Sequence, residues 1–132
     1  MTLLVPDVGE VALLDMALSD AAPEAQTLSL YTSNTTPAEG DTAATYTIAT
    51  GSGSDAKTLA RATWNAASTA AGTTSKTYPA QVFSFTGSFT VYGYLIRKVT
   101  AGTLLWSEKV YGSGQAFVSG DSLTITPRIE LA

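Results

Sequence analysis

The sequence predicts a mainly β protein, an antiparallel β-sandwich of jelly-roll-like type with one short apolar helix at its N-terminus. Three observations carry that prediction. Apolar and polar residues alternate with a period of two in several short segments, most cleanly over residues 122–131. Clusters of Gly, Pro, Asn, Asp and Ser separate those segments at the short intervals of a sandwich or barrel. Threonine recurs along the whole chain, and its β-branched side chain suits the solvent face of a strand.

A chain of 132 residues is expected to bury roughly two-thirds of its unfolded surface in one domain. The organisation expected is an apolar docking segment over residues 1–18 and a single β-sandwich domain over residues 19–132. In the first part, Pro6 suits the lead-in or first turn of a helix, and Asp7 can cap the amides that follow. Val8, Val11, Leu14 and Leu18 then fall on one helical stripe, widened by Leu13, Met16 and Ala17. Only Glu10 and Asp15 mark a wetted side, so this helix needs cover on more than one face. A small β-domain cannot supply all of it, and a neighbouring chain is expected to supply the rest.

Beyond a loop at residues 19–26 broken by Pro23, residues 27–32 alternate and read as a strand with Leu28 and Leu30 on one face. Residues 33–41 are dense in turn formers. Residues 43–50 read as a strand with Ala44, Tyr46 and Ile48 inward, and residues 51–55 as a turn. Residues 57–68 carry both helical and strand signals; their Thr and Asn content favours a strand. Residues 70–75 read as a loop, and residues 81–86 as a strand burying Phe83 and Phe85.

Residues 88–99 are apolar on both faces, with Phe89, Val91 and Leu95 on one and Tyr92, Tyr94 and Ile96 on the other. Such a strand sits between two layers or at a subunit interface, and Gly93 in its middle marks a bulge or a close backbone approach. Residues 103–111 are expected to pair with it across a Thr100-Ala101-Gly102 turn. A loop at 112–114, a short strand at 116–119 and a last strand at 122–131 complete seven or eight strands. In that last strand Leu123, Ile125, Ile129 and Leu131 share a face, and Pro127, unable to donate to a ladder, places it at an edge or bends it.

The residue inventory excludes much enzymology. Histidine and cysteine are absent, which removes Ser-His and Cys-His nucleophiles, thiolate metal sites and disulfides. The acidic residues lie mostly at turns, away from any paired-carboxylate pattern, so no catalytic residue, metal site or cofactor is expected. Glu39, Asp41 and Asp55 match no calcium loop, and Gly51-Ser52-Gly53 and Gly112-Ser113-Gly114 lack the Lys-Ser/Thr of a phosphate loop. A net charge of −4 with scattered cations argues against nucleic acid. The N-terminus lacks the basic end of a signal peptide and is too short and acidic to span a membrane, so a chain soluble and intracellular at synthesis is expected.

Only 14% of residues are charged against a usual ~25%, a composition that lowers the desolvation cost of packing protein on protein. The expected oligomer-interface residues are Leu3, Leu4, Val5, Val8, Val11, Leu14 and Leu18, with Tyr92, Tyr94 and Ile96. Tyr92, Tyr94, Trp106 and Tyr111 are expected first as ordinary core and interface packing, and second as an aromatic platform for sugar or protein, with Trp106 and Tyr111 as its candidate residues.

The blocks LLVPDVGEVALLDMAL, LSLYTSNTTPAEGDTAATYT, TVYGYLI with GTLLWSEKV, and LTITPRIEL cover roughly half the chain. Together they resemble a family of small β-rich structural proteins of tailed bacteriophages. The resemblance implies a virion component without catalytic residues. It also implies a capsid decoration (cement) protein that forms a homotrimer on the major capsid protein shell, at the capsid surface. A tail or fibre component that binds glycans is the alternative the same resemblance leaves open.

Overall fold

A computed structural model describes residues 2–18 and 24–131 of the chain. The mainly β class holds: every ladder is antiparallel, and one α-helix packs on the sheets. The largest sheet has the order β1-β9-β8-β2-β3. Its strands are β1 (Thr2–Leu4), β2 (Gln26–Tyr31), β3 (Lys57–Leu59), β8 (Gly93–Lys98) and β9 (Leu104–Lys109). Three smaller sheets complete the fold. In the first, β4 (Ser68–Ala70), β5 (Thr73–Thr77) and β12 (Arg128–Leu131) run in the order β12-β5-β4. The other two pair β6 (Gln81–Ser84) with β11 (Ser122–Ile125), and β7 (Phe89–Val91) with β10 (Gln115–Phe117).

Both faces of the large sheet are covered. On one, Leu28, Leu30, Tyr94, Ile96 and Trp106 join Phe83, Val91, Leu123 and Ile125 of the small sheets in a single core, giving a sandwich-like layering. On the other, Tyr31, Leu95 and Leu104 pack with Tyr46, which the 32–50 segment folds over them. The Tyr31 and Tyr46 rings meet edge-on at 4.9 Å. The Tyr46 hydroxyl lies 2.7 Å from Asp41 Oδ2 and 2.8 Å from Ser107 Oγ. Burial holds both phenols well above the ordinary tyrosine range.

The β8–β9 hairpin forms as expected, with Gly102 at φ 68° in its turn. A register shift gives it one extra residue: Ile96 opposes Trp106 while Arg97 opposes Leu104. Leu105 is therefore the bulged residue, and it joins Trp106 in the main core. Gly93 makes the expected close approach, since a Cβ there would stand 2.0 Å from the Glu108 carbonyl oxygen and 2.7 Å from the Tyr31 hydroxyl.

Several expected strands are corrected. Residues 43–50 form a 3₁₀ turn at Ala43–Thr45 and a lone bridge from Tyr31 to Ile48. Thr45 Oγ1 accepts the Thr42 N–H at 3.1 Å, so local threonine bonding displaces the ladder, and Ala44 is exposed. Residues 57–68 keep strand at β3 and at Ser68, where β4 begins, and turn between them through a 3₁₀ helix at Arg61–Thr63. The 70–75 loop is instead the tip of the β4–β5 hairpin, where Ala71 (φ 50°) and Gly72 (φ 82°) supply the two positive φ angles of a type I′ turn. The 88–99 strand breaks at Tyr92, whose carbonyl accepts both Val110 and Tyr111 N–H. That break turns Val91 to the same core as Tyr94 and Ile96, and leaves Leu95 and Tyr92 on the other side.

Pro127 does what its missing N–H requires. The chain bends there, β11 pairing with β6 and β12 with β5, while the Pro127 carbonyl accepts the Tyr78 N–H at 2.8 Å. Pro23 and the rest of residues 19–23 lie outside the described residues.

Candidate docking surface

The helix α1 (Asp7–Leu18) begins one residue earlier than its stripe suggested. The buried Pro6 leads into it, its carbonyl accepting the Gly9 and Glu10 N–H groups at 2.8 and 2.9 Å. Asp7 is the first helical residue and not the cap; its own N–H donates to the Glu39 carbonyl at 2.9 Å. Together with Glu10 it puts carboxylates in the first turn, where the helix dipole favours them.

The face that α1 turns to the sheet is its small face. Gly9 lies so close to β9 that a Cβ would stand 2.0 Å from the Leu105 carbonyl oxygen. Ala12 is buried beside it, and Val5 and Leu13 pack partly against the core. The stripe of Val8, Val11 and Leu14 consequently points outward, with exposures of 38%, 61% and 61%. Those values are high for branched aliphatic side chains on one helical face. The helix has one covered face and one bare one.

Two depressions lie beside α1, and Leu13 lines both. A groove of about 260 Å³ is lined by Val5, Glu10, Leu13 and Leu14. On the other side of Leu13, a cleft of about 250 Å³ is lined by Leu13, Gln26, Arg61, Trp64, Lys76, Leu105, Trp106 and Ile129. The 3₁₀ turn at Arg61–Thr63 delivers Trp64 to it, and the β9 bulge delivers Leu105 and Trp106 together. Trp64 is held on three sides. Its indole N–H donates to Gln26 Oε1 at 2.9 Å, and its ring meets Tyr78 and Trp106 edge-on at 5.2 and 5.9 Å. The Trp106 indole N–H is buried with no hydrogen-bond partner among the described residues. Arg61 and Lys76 are both exposed, and no carboxylate lines the cleft.

The chain matches no protein-family model, no curated protein and no solved structure. Among the described residues, no three Asp or Glu side chains gather as a metal site, and no helix is long and apolar enough to cross a membrane. Asp41 and Asp55 serve their own loops, accepting the Ala38 and Gly51 N–H groups at 2.9 and 2.7 Å.

The expected interface residues divide. Val8, Val11 and Leu14 lie together on the bare ridge, with Leu4 and Val5 half-buried beside the strand and groove. The side chains of Leu3 and Leu18 lie outside the described residues. Tyr94 and Ile96 are a correction: at 1% and 0% exposure they belong to the core, because the break at Tyr92 aims both at the small sheets. Tyr92 is half-buried on the opposite side, with Lys109 Nζ 5.8 Å from its ring centroid.

The aromatic platform is also corrected. Trp106 is 4% exposed and packs on Trp64, whereas Tyr111 is half-buried and packs on Phe117 at 6.3 Å. Trp106 meets the surface only as a wall of the cleft, beside the half-buried Trp64, which sits in the ambiguous 57–68 segment and was not singled out from the sequence. Gln26, Arg61, Lys76 and Ile129 were likewise invisible as a group, since three separate strands and a turn bring them together.

The fold also holds a buried carboxyl group. Glu108, 3% exposed, accepts the Tyr94 hydroxyl at 2.6 Å on one oxygen and faces Arg128 Nη2 at 3.4 Å on the other. Burial, reinforced by that carboxylate, pushes the Tyr94 phenol far above its ordinary range. Arg128 also bridges Glu130 at 2.9 Å. The set is fully used in holding β8, β9 and β12 together.

Proposed function

We propose that this chain is a structural protein of a tailed-bacteriophage virion, a capsid decoration subunit that assembles as an oligomer on the major capsid protein shell. The observation that carries the reading is the bare ridge of Val8, Val11 and Leu14 on a helix seated by its small face. A monomer gains nothing from turning its branched side chains to water while Gly9 and Ala12 face the sheet. A subunit that completes its apolar cover on another protein does gain, because each side chain buried on docking contributes about 1.5–3 kcal/mol. The charge-poor composition and the phage-like sequence blocks support the same class. The trimer rests on analogy with capsid local symmetry and on the closed symmetry that homo-oligomers favour.

The test uses capsids stripped of accessory protein, mixed with the full chain and sedimented. The wild-type chain should co-sediment saturably, and Val11→Asp and Leu14→Asp should not, with circular dichroism showing that both variants fold. Undiminished binding by both variants would remove α1 from the contact. Failure of the wild-type chain to bind shells while it binds purified tails would remove the decoration reading.

A second reading, a tail or fibre module that binds glycans, is favoured by one feature: Trp64 stands beside Gln26, Arg61 and Lys76 in an open cleft. Saturable quenching of tryptophan emission by a sugar panel would support it.

A further inference from the structure

We propose that the Trp64–Trp106 cleft is the receptor for the α1 ridge of a second copy of this chain. The inference deepens the assembly reading above and rests on it.

The cations supply the first argument. The chain has seven Lys and Arg residues. Five are engaged internally: Lys57 over the Phe83 ring, Arg97 on Ser29, Lys98 on Glu24, Lys109 on Asn34, and Arg128 on Glu108 and Glu130. The remaining two, Arg61 and Lys76, take part in no ion pair among the described residues, and both line this one cleft. In a chain of net charge −4, two cations without an ion pair among the described residues, lining one cleft with an apolar floor, mark a site for something apolar and acidic.

The α1 ridge has that chemistry. Val8, Val11 and Leu14 are exposed and apolar, Asp7 and Glu10 are exposed and acidic, and no basic residue occurs in the helix. Seating the ridge in a neighbour's cleft buries its aliphatic side chains against Leu105, Trp106 and Ile129. It also brings Glu10 toward Arg61 and Lys76. The contact joins two different patches, so it propagates from copy to copy and must close into a ring to stay finite. The cleft shares Leu13 with the groove that Glu10 and Leu14 line, so the Leu14 edge of the ridge lies near the cleft of its own copy.

The experiment follows the oligomeric state of the full chain by sedimentation velocity and its tryptophan emission, excited at 295 nm, to which only Trp64 and Trp106 contribute. The wild-type chain should assemble as concentration rises, with its emission shifting in step. Val11→Asp should remain a monomer with unshifted emission. Arg61→Glu combined with Lys76→Glu should weaken assembly at least about 10-fold by placing like charges opposite Glu10. Adding Glu10→Lys to that pair should restore it. All the substituted positions are exposed, and circular dichroism verifies folding.

A wild-type monomer at every concentration, or full assembly by the doubly reversed variant, overturns the proposal. So does a sugar that quenches the tryptophans saturably while leaving the oligomer intact, which assigns the cleft to a glycan. The capsid co-sedimentation is scored separately. Shell binding by a monomer sinks this inference and spares the decoration reading, whereas a ring that ignores capsids does the reverse.

Discussion

Replacing Gly9 by alanine sets two effects of opposite sign against each other at the point where α1 meets the sheet. Helix propensity favours the change by about 1 kcal/mol, since glycine is a poor residue inside a helix. Sterics oppose it: the new Cβ would stand 2.0 Å from the Leu105 carbonyl oxygen, where ordinary contact begins near 3.4 Å. The obstacle is backbone on both sides, so no side chain can swing away. The helix must move off β9 by more than an ångström, and Ala12, Val5 and Leu13 move with it. Overpacking of this kind costs about 1–3 kcal/mol, and a displacement this large belongs at the upper end. Sterics win. Gly9→Ala should lower stability by about 1–2 kcal/mol, or about 4–8 °C in Tm for a domain of this size. Urea unfolding followed by circular dichroism measures it. An unchanged or raised midpoint would mean that the helix does not rest on Leu105 as described, and the outward direction of the ridge would lose its cause.

Two further predictions concern the buried polar groups. Tyr94→Phe removes the 2.6 Å hydrogen bond to Glu108 and leaves a buried carboxylate with Arg128 as its remaining side-chain partner, which should cost about 1–3 kcal/mol in urea unfolding; a loss below about 0.5 kcal/mol would contradict it. The phenols of Tyr31, Tyr46 and Tyr94 are all raised above the ordinary value of 10.0, by burial first; Tyr46 then adds to the shift at Tyr31, Asp41 at Tyr46 and Glu108 at Tyr94. Their folded-state protons are held more tightly than the unfolded chain holds them, so the stability they contribute is present below about pH 10 and is lost as pH rises beyond it. Ultraviolet titration should show these three of the six tyrosines ionising only as the fold opens, and smooth ionisation of all six in a folded protein would refute it.

What the sequence made legible were the features that a single local rule decides. The β8–β9 hairpin followed from two apolar runs around a glycine turn, and the bend of the last strand from the donor that Pro127 lacks. The helix followed from its period. Where two rules competed, the reading slipped. Thr42 and Thr45 could extend a strand or bond each other, and they bond each other. Ala71 gives no turn signal of its own, because alanine seldom takes the positive φ that the β4–β5 hairpin imposes on it. Tyr92 carries a strand-forming side chain, yet its carbonyl is drawn to Val110 and Tyr111, and a one-residue break there changed the face assigned to Val91. The cleft was illegible for a different reason. Its members come from α1, β2, the 3₁₀ turn, β5, β9 and β12, and only the tertiary fold brings Trp64 to Trp106.

The direction of the ridge and the position of the cleft share one origin. The bulge at Leu105 pushes an extra residue out of the β8–β9 ladder, toward the side on which α1 lies. That backbone can be approached only by a helix with no side chain at the contact, which is the place Gly9 takes. Once Gly9 and Ala12 face inward, the 3.6-residue period leaves Val8, Val11 and Leu14 nowhere to go but outward. The same bulge turns Trp106 to the side of Leu105, where Trp64 meets it and the cleft opens beside Leu13. A single irregularity in one hairpin thus produces both a bare apolar ridge and the hollow next to it. Restoring a regular ladder by deleting Leu105 would then be expected to disturb both features together, with the helix and the tryptophan emission changing in one step.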